Sequence, residues 1–505
     1  MAWGQWLAEG PALMGREVVQ VQGHVPAPPD AVWAVARDFC GAWHPWVTSI
    51  REERGPQGAR VRAFTVAGED SIYREQQTYF SDSDRVLGYT HLDGIRDCEA
   101  YDARLIVTGA EAGGSVVTWT ATVRAPADRL RQICEGTKTV YEAGIAALAA
   151  HAPPLTTPAT SASPPPRGEG MGVGGISEEP TAPLSPAPET PLEVLVFDDL
   201  PRLALTVTAP PPHPSPSRRE GAAQSPAASS AASNSHLPSS PWGGDGGAWQ
   251  ATGDTLCLFL HGIGGGRTNW LAQLQAIGPM MRAAALDLRG YGDSTLGPRQ
   301  STIDDYCADI LRVAEKLGAK RVVLVGISYG SWIATSFAMR HRQMLAGLVL
   351  SGGCTGMSEA GPDEREAFRV SREVPLNAGQ VPADFAPAVV KVLAGPEASD
   401  ETRQQLNDSM AAIPAATYRD ALVCFTNPLE RFDFSKLTMP VLLMTGEHDR
   451  LAPPAEIRGV AGRIWDAAPW PDVRFEVIPG AGHVCNVEQP AIYNRHLLSF
   501  LRRLA

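Results

Sequence analysis

The chain has 505 residues, 44% of them hydrophobic, with 49 glycines and 43 prolines, a length that needs more than one domain and a composition in which some stretches do not pack. Its net charge of −12 argues against nucleic acid as a partner, because such binders need a basic face. Eight cysteines without a C-x-x-C pair suggest neither a zinc site nor a disulfide framework, so no metal is expected and a reducing compartment fits. The first 15 residues lack the basic n-region of a signal peptide, and no apolar run reaches the roughly 18 residues of a membrane span. The expectation is a soluble, cytoplasmic protein with no membrane span and no cofactor.

Residues 17–25 alternate apolar and polar as a strand does, and the Pro29-Asp30 pair then starts a short helix over 31–36. A turn at 41–46 leads into alternating runs at 59–66, 72–80, 86–91, 99–107 and 116–123, and a helix from about 129 to 150 closes the unit. One strand, two short helices, a strand meander and a long last helix predict an α+β domain over 14–151, an antiparallel sheet around its C-terminal helix. The segments PPDAVWAVARDF at 28–39, WHPWV at 43–47 and TVYEAGIAALAA at 139–150 resemble the START/polyketide-cyclase-like superfamily (SRPBCC, the helix-grip fold). That resemblance implies an apolar cavity between sheet and helix. Trp33, Trp43, His44, Trp46 and Tyr141 are candidates for its wall or mouth; the alternative is plain core and lid aromatics. No acid–base pair or metal-ligand cluster stands out in this domain.

Residues 152–190 are rich in Pro, Ser, Thr, Ala and Gly, and 209–248 read alike. Neither holds enough apolar surface to offset its ordering entropy, so both are expected to be disordered. Between them, the apolar runs 192–197 and 203–208 predict a hairpin. A lone hairpin is marginal and must join a sheet, here that of the C-terminal domain, which then runs from 191 to 505 with 209–248 as a loop insertion. Stretching a five-residue turn to forty costs about 1.8 kcal/mol of closure entropy, which a domain tolerates. The linker at 152–190, treated as flexible, spans about 35 Å, which predicts two domains without one fixed orientation.

From residue 249 onward, buried-strand runs at 256–260, 283–286, 322–325, 348–350, 441–444 and 475–478 alternate with helical stretches such as 302–317. This pattern predicts a parallel sheet covered on both faces, with the chemistry beyond the carboxyl ends of its strands. After 322–325 comes Gly326-Ile327-Ser328-Tyr329-Gly330. A G-x-S-x-G motif is weak alone, but a strand before it and a helix after it make Ser328 a candidate nucleophile. A serine needs a base, and His483 in PGAGH follows the last strand run; the base needs an orienting acid, and Asp449 in GEHD follows the strand at 441–444. Glu447 and His448 neighbour Asp449 but share its turn, whereas His341 and His496 sit in helical stretches and read as surface residues. The loop His261-Gly262-Ile263-Gly264-Gly265-Gly266 supplies the expected oxyanion hole, from the amides of Ile263 (or Gly264) and Tyr329. Read instead as a phosphate loop, it lacks the Lys-Ser/Thr of a P-loop.

HGIGGG, DLRGYGDS at 287–294, GISYG, GEHD and GAGH occur in this order, and the pattern resembles the α/β-hydrolase superfamily, in the branch of enol-lactonases, carbon–carbon bond hydrolases and esterases. In that likeness Arg289 and Asp293 tie loops together, and residues 352–436 form a helical cap that chooses the substrate. Trp270, Trp332, Met357 and Phe425 are candidates for the substrate pocket, or else core. The expected function is a serine hydrolase of a small apolar ester, lactone or related carbonyl compound, joined to a domain that binds an apolar ligand. Two alternatives stand beside it: a non-catalytic ligand sensor, and a cyclase or dehydratase activity in the N-terminal domain.

Overall fold

The computed structural model describes residues 14–55, 59–69, 71–111, 113–152, 189–208, 254–429, 431–469 and 471–504. The expected linker and loop insertion lie outside the described residues, except for 152, 189 and 190.

The N-terminal domain consists of β1 (Met14–Val25), α1 (Pro29–Ala36), β2 (Val47–Arg54), β3 (Arg60–Val66), β4 (Ile72–Ser81), β5 (Val86–Asp93), β6 (Ala100–Gly109), β7 (Ser115–Pro126) and α2 (Ala127–His151). Its antiparallel sheet runs β1-β7-β6-β5-β4-β3-β2. Sequence periodicity missed β2 because VTSIREER is an edge strand with no fully buried residue, so no face imposes a hydrophobic alternation. The second short helix expected before the meander is a series of turns. Helix α2 buries Ile133, Thr137, Tyr141 and Ile145, one residue per turn.

The interior between sheet and helix is less apolar than the sequence implied. Tyr101 and Tyr141 share a hydroxyl–hydroxyl hydrogen bond of 2.7 Å, and the Trp119 indole N–H donates to Tyr89 Oη at 3.1 Å. Arg62 and Glu75 form a largely buried ion pair, with the Arg62 guanidinium over the Phe39 ring at 4.6 Å. Among the expected cavity residues, Tyr141 is fully buried and stacked on Trp119. Trp43 packs on the same indole. His44 is pinned by Val140 O and the Trp46 N–H, and Trp33 donates to Asp82. The Trp46 ring packs edge-on against His44.

The C-terminal domain opens with the hairpin β8 (Leu192–Phe197) and β9 (Leu203–Thr208). There follow β10 (Thr255–Leu260), α3 (Leu271–Ile277), β11 (Ala283–Leu286), α4 (Ile303–Lys316), β12 (Arg321–Ile327), α5 (Tyr329–His341) and β13 (Leu345–Ser351). Four helices come next: α6 (Pro362–Asn377), α7 (Pro382–Leu393), α8 (Asp400–Ala411) and α9 (Ala415–Thr426). The chain ends with β14 (Val441–Gly446), α10 (Pro454–Ala467), β15 (Val473–Ile478), α11 (Cys485–Glu488) and α12 (Pro490–Leu504). Strands β10 to β15 pair in parallel in the order β11-β10-β12-β13-β14-β15, and the hairpin joins antiparallel through β9 on β11. Its neighbour is therefore β11, not the next strand in sequence. Among the described residues no helix is long and apolar enough to cross a membrane.

The two sheets are joined, contrary to the expectation of freely oriented domains. Strand β4 outruns β3, so its last residues have no β3 partner and pair in parallel with β15 at Val473–Tyr79 and Arg474–Phe80. Each domain thereby covers an edge of the other. Beyond that short ladder, the buried Glu476 carboxylate accepts the N–H groups of Asp82 and Ser83 and the Ser83 hydroxyl. Ser83 Oγ also accepts the Val477 N–H at 2.7 Å, and Arg458 makes a two-pronged bridge to Asp84. The Arg104 guanidinium lies 3.9 Å from the Trp465 ring centroid, and Tyr79 packs on the same indole. Linker composition carries no trace of these contacts.

Candidate active site

Strand β12 is buried from Val322 to Ile327, and α5 starts at Tyr329, which leaves one residue for the reversal. Ser328 takes it at φ 54°, ψ −118°, a strained backbone for a non-glycine residue that persists only where its surroundings hold it. They do: Ser328 N donates to Ser351 O at 2.8 Å, and the N–H groups of Ser331 and Trp332 return to Ser328 O. Glycine is required on both sides. A Cβ at Gly326 would collide with Gly330 O, and one at Gly330 with Leu260 O. The Tyr329 amide, in the first turn of α5, has no carbonyl one turn back to bond.

The HGIGGG loop after β10 lies against this elbow, so that a Cβ on Gly262 would sit 3.2 Å from Ser328 Cβ. His261 anchors the loop. Its Nε2 accepts the Leu288 N–H at 3.0 Å, its Nδ1 meets Gly262 O at 2.7 Å, and burial pushes its imidazole down, toward the neutral form. The Tyr291 hydroxyl donates to Ile263 O at 3.0 Å, orienting the peptide whose neighbour is the expected oxyanion donor. Arg289 bonds Asp309, and Asp293 bonds Arg267, the loop-tying roles the DLRGYGDS resemblance implied.

His483 follows β15. Its Nδ1 lies 3.0 and 2.9 Å from the two oxygens of Asp449, and its Nε2 has no hydrogen-bond partner among the described residues. Burial pushes the Asp449 carboxyl up; the hydrogen bond from His483 and the N–H groups of Ala452 and Leu451 outweigh it, and the group stays below its ordinary value. The neighbours in the GEHD turn point elsewhere: Glu447 accepts the Gly480 N–H, and the His448 side chain is exposed. His341 is part-exposed beside Phe337, whereas His496 faces Glu476 at the domain junction rather than open surface.

Three supporting residues escaped sequence reasoning. Gly352, at φ 55°, leaves room for the His483 ring, which a Cβ would meet at 3.3 Å. Glu488 accepts the N–H groups of Gly395, Gly482 and Val484, tying the α7–α8 connection of the cap to the histidine loop. Tyr291 is the third. Gly352 and Glu488 lie in none of the motifs, and Tyr291, though inside DLRGYGDS, acts through a contact distant in sequence.

Ser328, His483, Ile263 and Tyr329 line one cavity of about 520 Å³, roofed by residues from α6 to α9. The described helices of the expected cap span 362–426. Met357 and Phe425 line the cavity, whereas Trp270 and Trp332 lie behind it in the core, Trp270 against Phe259 and Trp332 donating to Ser358. Both indoles are fully buried, and neither is among the residues that line the cavity.

Residues 256–490 match the family described as alpha/beta hydrolase fold, and residues 16–153 the family described as polyketide cyclase / dehydrase and lipid transport. The chain is a polyketide-cyclase-like domain followed by an α/β-hydrolase domain. The α/β-hydrolase half is 27% identical over 259 residues to the dihydrolipoyllysine-residue acetyltransferase component of the acetoin cleaving system of Pseudomonas putida, covering 50% of this chain and 64% of that protein. It is also 27% identical to epoxide hydrolase 3 of Xenopus tropicalis, over 50% of this chain and 73% of the relative. Among solved structures, a thermophilic esterase from Thermogutta terrifontis is 27% identical, with a TM-score of 0.45, over 50% of this chain and 90% of the esterase.

Proposed function

We propose that this protein is a serine hydrolase of an ester, lactone or related small carbonyl compound, with Ser328 as nucleophile, His483 as base and Asp449 as its orienting acid. The carrying observation is the strained Ser328 elbow opening on a cavity that His483 also lines, with His483 held by Asp449. With Nδ1–H bound to Asp449, the free Nε2 is the lone-pair nitrogen, the tautomer a base requires. It takes the Ser328 proton as Oγ attacks the substrate carbonyl carbon. The oxyanion then rests on the Ile263 and Tyr329 amides, and the leaving alcohol departs with the proton from His483. Water repeats the sequence on the acyl-enzyme and releases the acid. Serine rather than aspartate at the elbow favours acyl transfer over the epoxide opening in one relative's name.

The test is Ser328→Ala with p-nitrophenyl acetate. Removing the nucleophile of such a triad is expected to cost at least about 10⁴-fold in kcat, with the fold intact by circular dichroism. Unchanged turnover would overturn the proposal.

A further inference from the structure

The cavity over Ser328 is apolar along its cap side, where Phe368, Phe385, Val389, Met410, Leu422 and Phe425 contribute to it. Among the described residues that line it, one is an Arg or Lys, Arg372 on α6, and one is an Asp or Glu, Glu456 on α10. The guanidinium carbon of Arg372 lies over the Phe368 ring, 3.4 Å from its centroid. Its Nη1 reaches Phe368 O and Ser371 Oγ, both at 3.3 Å and both within its own turn of helix. Among the described residues no carboxylate pairs with it. Arg369, on the same helix, is matched with Glu366 and Glu373.

An arginine held on an aromatic face beside an apolar cavity is costly to keep charged without a counterion. Burial does push Arg372 down from its ordinary value, with only Tyr418 opposing. Among the described residues the hydrogen bonds of Arg372 are made by Nη1 alone, which leaves the Nε and Nη2 edge for a carboxylate gripped by two parallel hydrogen bonds. The cavity's acidic lining residue, Glu456, feels the charge of Asp449, and burial, together with the charges of Asp449 and Glu359, raises its carboxyl. Arg372 is therefore the lining group whose charge favours an anion.

We infer that the substrate carries a carboxylate remote from its scissile carbonyl, and that Arg372 binds it and thereby sets specificity. This rests on the proposal that Ser328 is the nucleophile. A cavity of about 520 Å³ is ample for a small dicarboxylic monoester or a carboxylated lactone. The carboxylate on Arg372 turns the acyl chain so that its far carbonyl faces Ser328.

The experiment compares mono-p-nitrophenyl glutarate with p-nitrophenyl 5-methylhexanoate, in which an isopropyl group replaces the carboxylate, on the full-length chain. The wild type is expected to favour the glutarate monoester in kcat/KM, with a KM that rises with salt. Arg372→Gln is expected to lower kcat/KM for the glutarate about 10- to 100-fold, chiefly through KM, and to leave the neutral ester within about twofold. Arg372→Lys is expected to recover part of the loss, since it restores charge without the fork. Equal losses on both esters, or no wild-type preference for the anionic one, would overturn the inference. If Arg372→Gln fails to fold, the wild-type preference and its salt dependence still decide. A wild type that turns over neither ester, and does not react with a fluorophosphonate, counts instead against the Ser328 proposal.

Discussion

Asp449→Asn separates orientation from chemistry at this site. In the native protein Asp449 Oδ1 accepts the N–H groups of Leu451 at 2.8 Å and Ala452 at 2.9 Å. The amide NH2 of an asparagine cannot occupy that position, because it would face two donors. It must take the Oδ2 position, which lies 2.9 Å from His483 Nδ1 and within 3.4 Å of Thr445 Oγ. The imidazole then answers a donor at Nδ1 by moving its proton to Nε2, and the nitrogen nearest the cavity can no longer act as a base. The geometry is preserved and the tautomer reversed, a change that lowers kcat by about 10⁴ in a serine triad, or about 5.4 kcal/mol at about 1.36 kcal/mol per decade. KM should move little. The assay is p-nitrophenyl acetate turnover with a burst-phase measurement of acylation, alongside a melting curve to show that the variant is folded. A variant retaining more than about a tenth of wild-type kcat would refute the role of Asp449.

The domain junction makes two further expectations. Ser83→Ala leaves the Val477 N–H without the hydroxyl that stands in for a strand partner, and should cost about 1–3 kcal/mol in urea unfolding of the full chain; an unchanged midpoint would show that water replaces the hydroxyl freely. Burial, and then the charge of Asp82, push the Glu476 carboxyl up from 4.5 to about 8. Between those two values the folded chain holds a proton that the unfolded chain has released, so stability falls as pH rises through the window and levels off above it. Urea midpoints at pH 5.5, 7 and 8.5 should therefore decline, and Glu476→Gln should flatten the trend; an equal slope in the variant would place its origin elsewhere.

Local signals made the fold readable in advance. Buried-strand runs alternating with helices dictate a covered parallel sheet, and a serine between a strand and a helix needs only local sterics to become an elbow. The order of Ser328, Asp449 and His483 along the chain could likewise be read directly, since each follows a strand that ends on the same side of the sheet. Trp270 and Trp332 show where such reading stops. An indole has the same sequence signature whether it faces a ligand or a core, and only the packing of Phe259 and Ser358 around them placed both in the core.

Composition also proved a poor guide to how the domains meet. Proline-rich chain between them says how far apart they could lie, but nothing of the two strand ends, β4 and β15, whose unmet hydrogen bonds bring them together. The interior of the N-terminal domain shows the same division. Periodicity assigned its strands and long helix, whereas the Arg62–Glu75 pair and the tyrosine hydroxyls inside it depend on partners far apart in sequence. What the amino-acid order determined alone was what each segment does with its nearest neighbours: helix, strand, turn and strained elbow. The empty space left for His483 beside Gly352, the placement of Arg372 over Phe368 and the seam between the sheets are properties of surfaces brought together. Those were decided only when the chain closed on itself, because burial and charge pairing depend on distance in space.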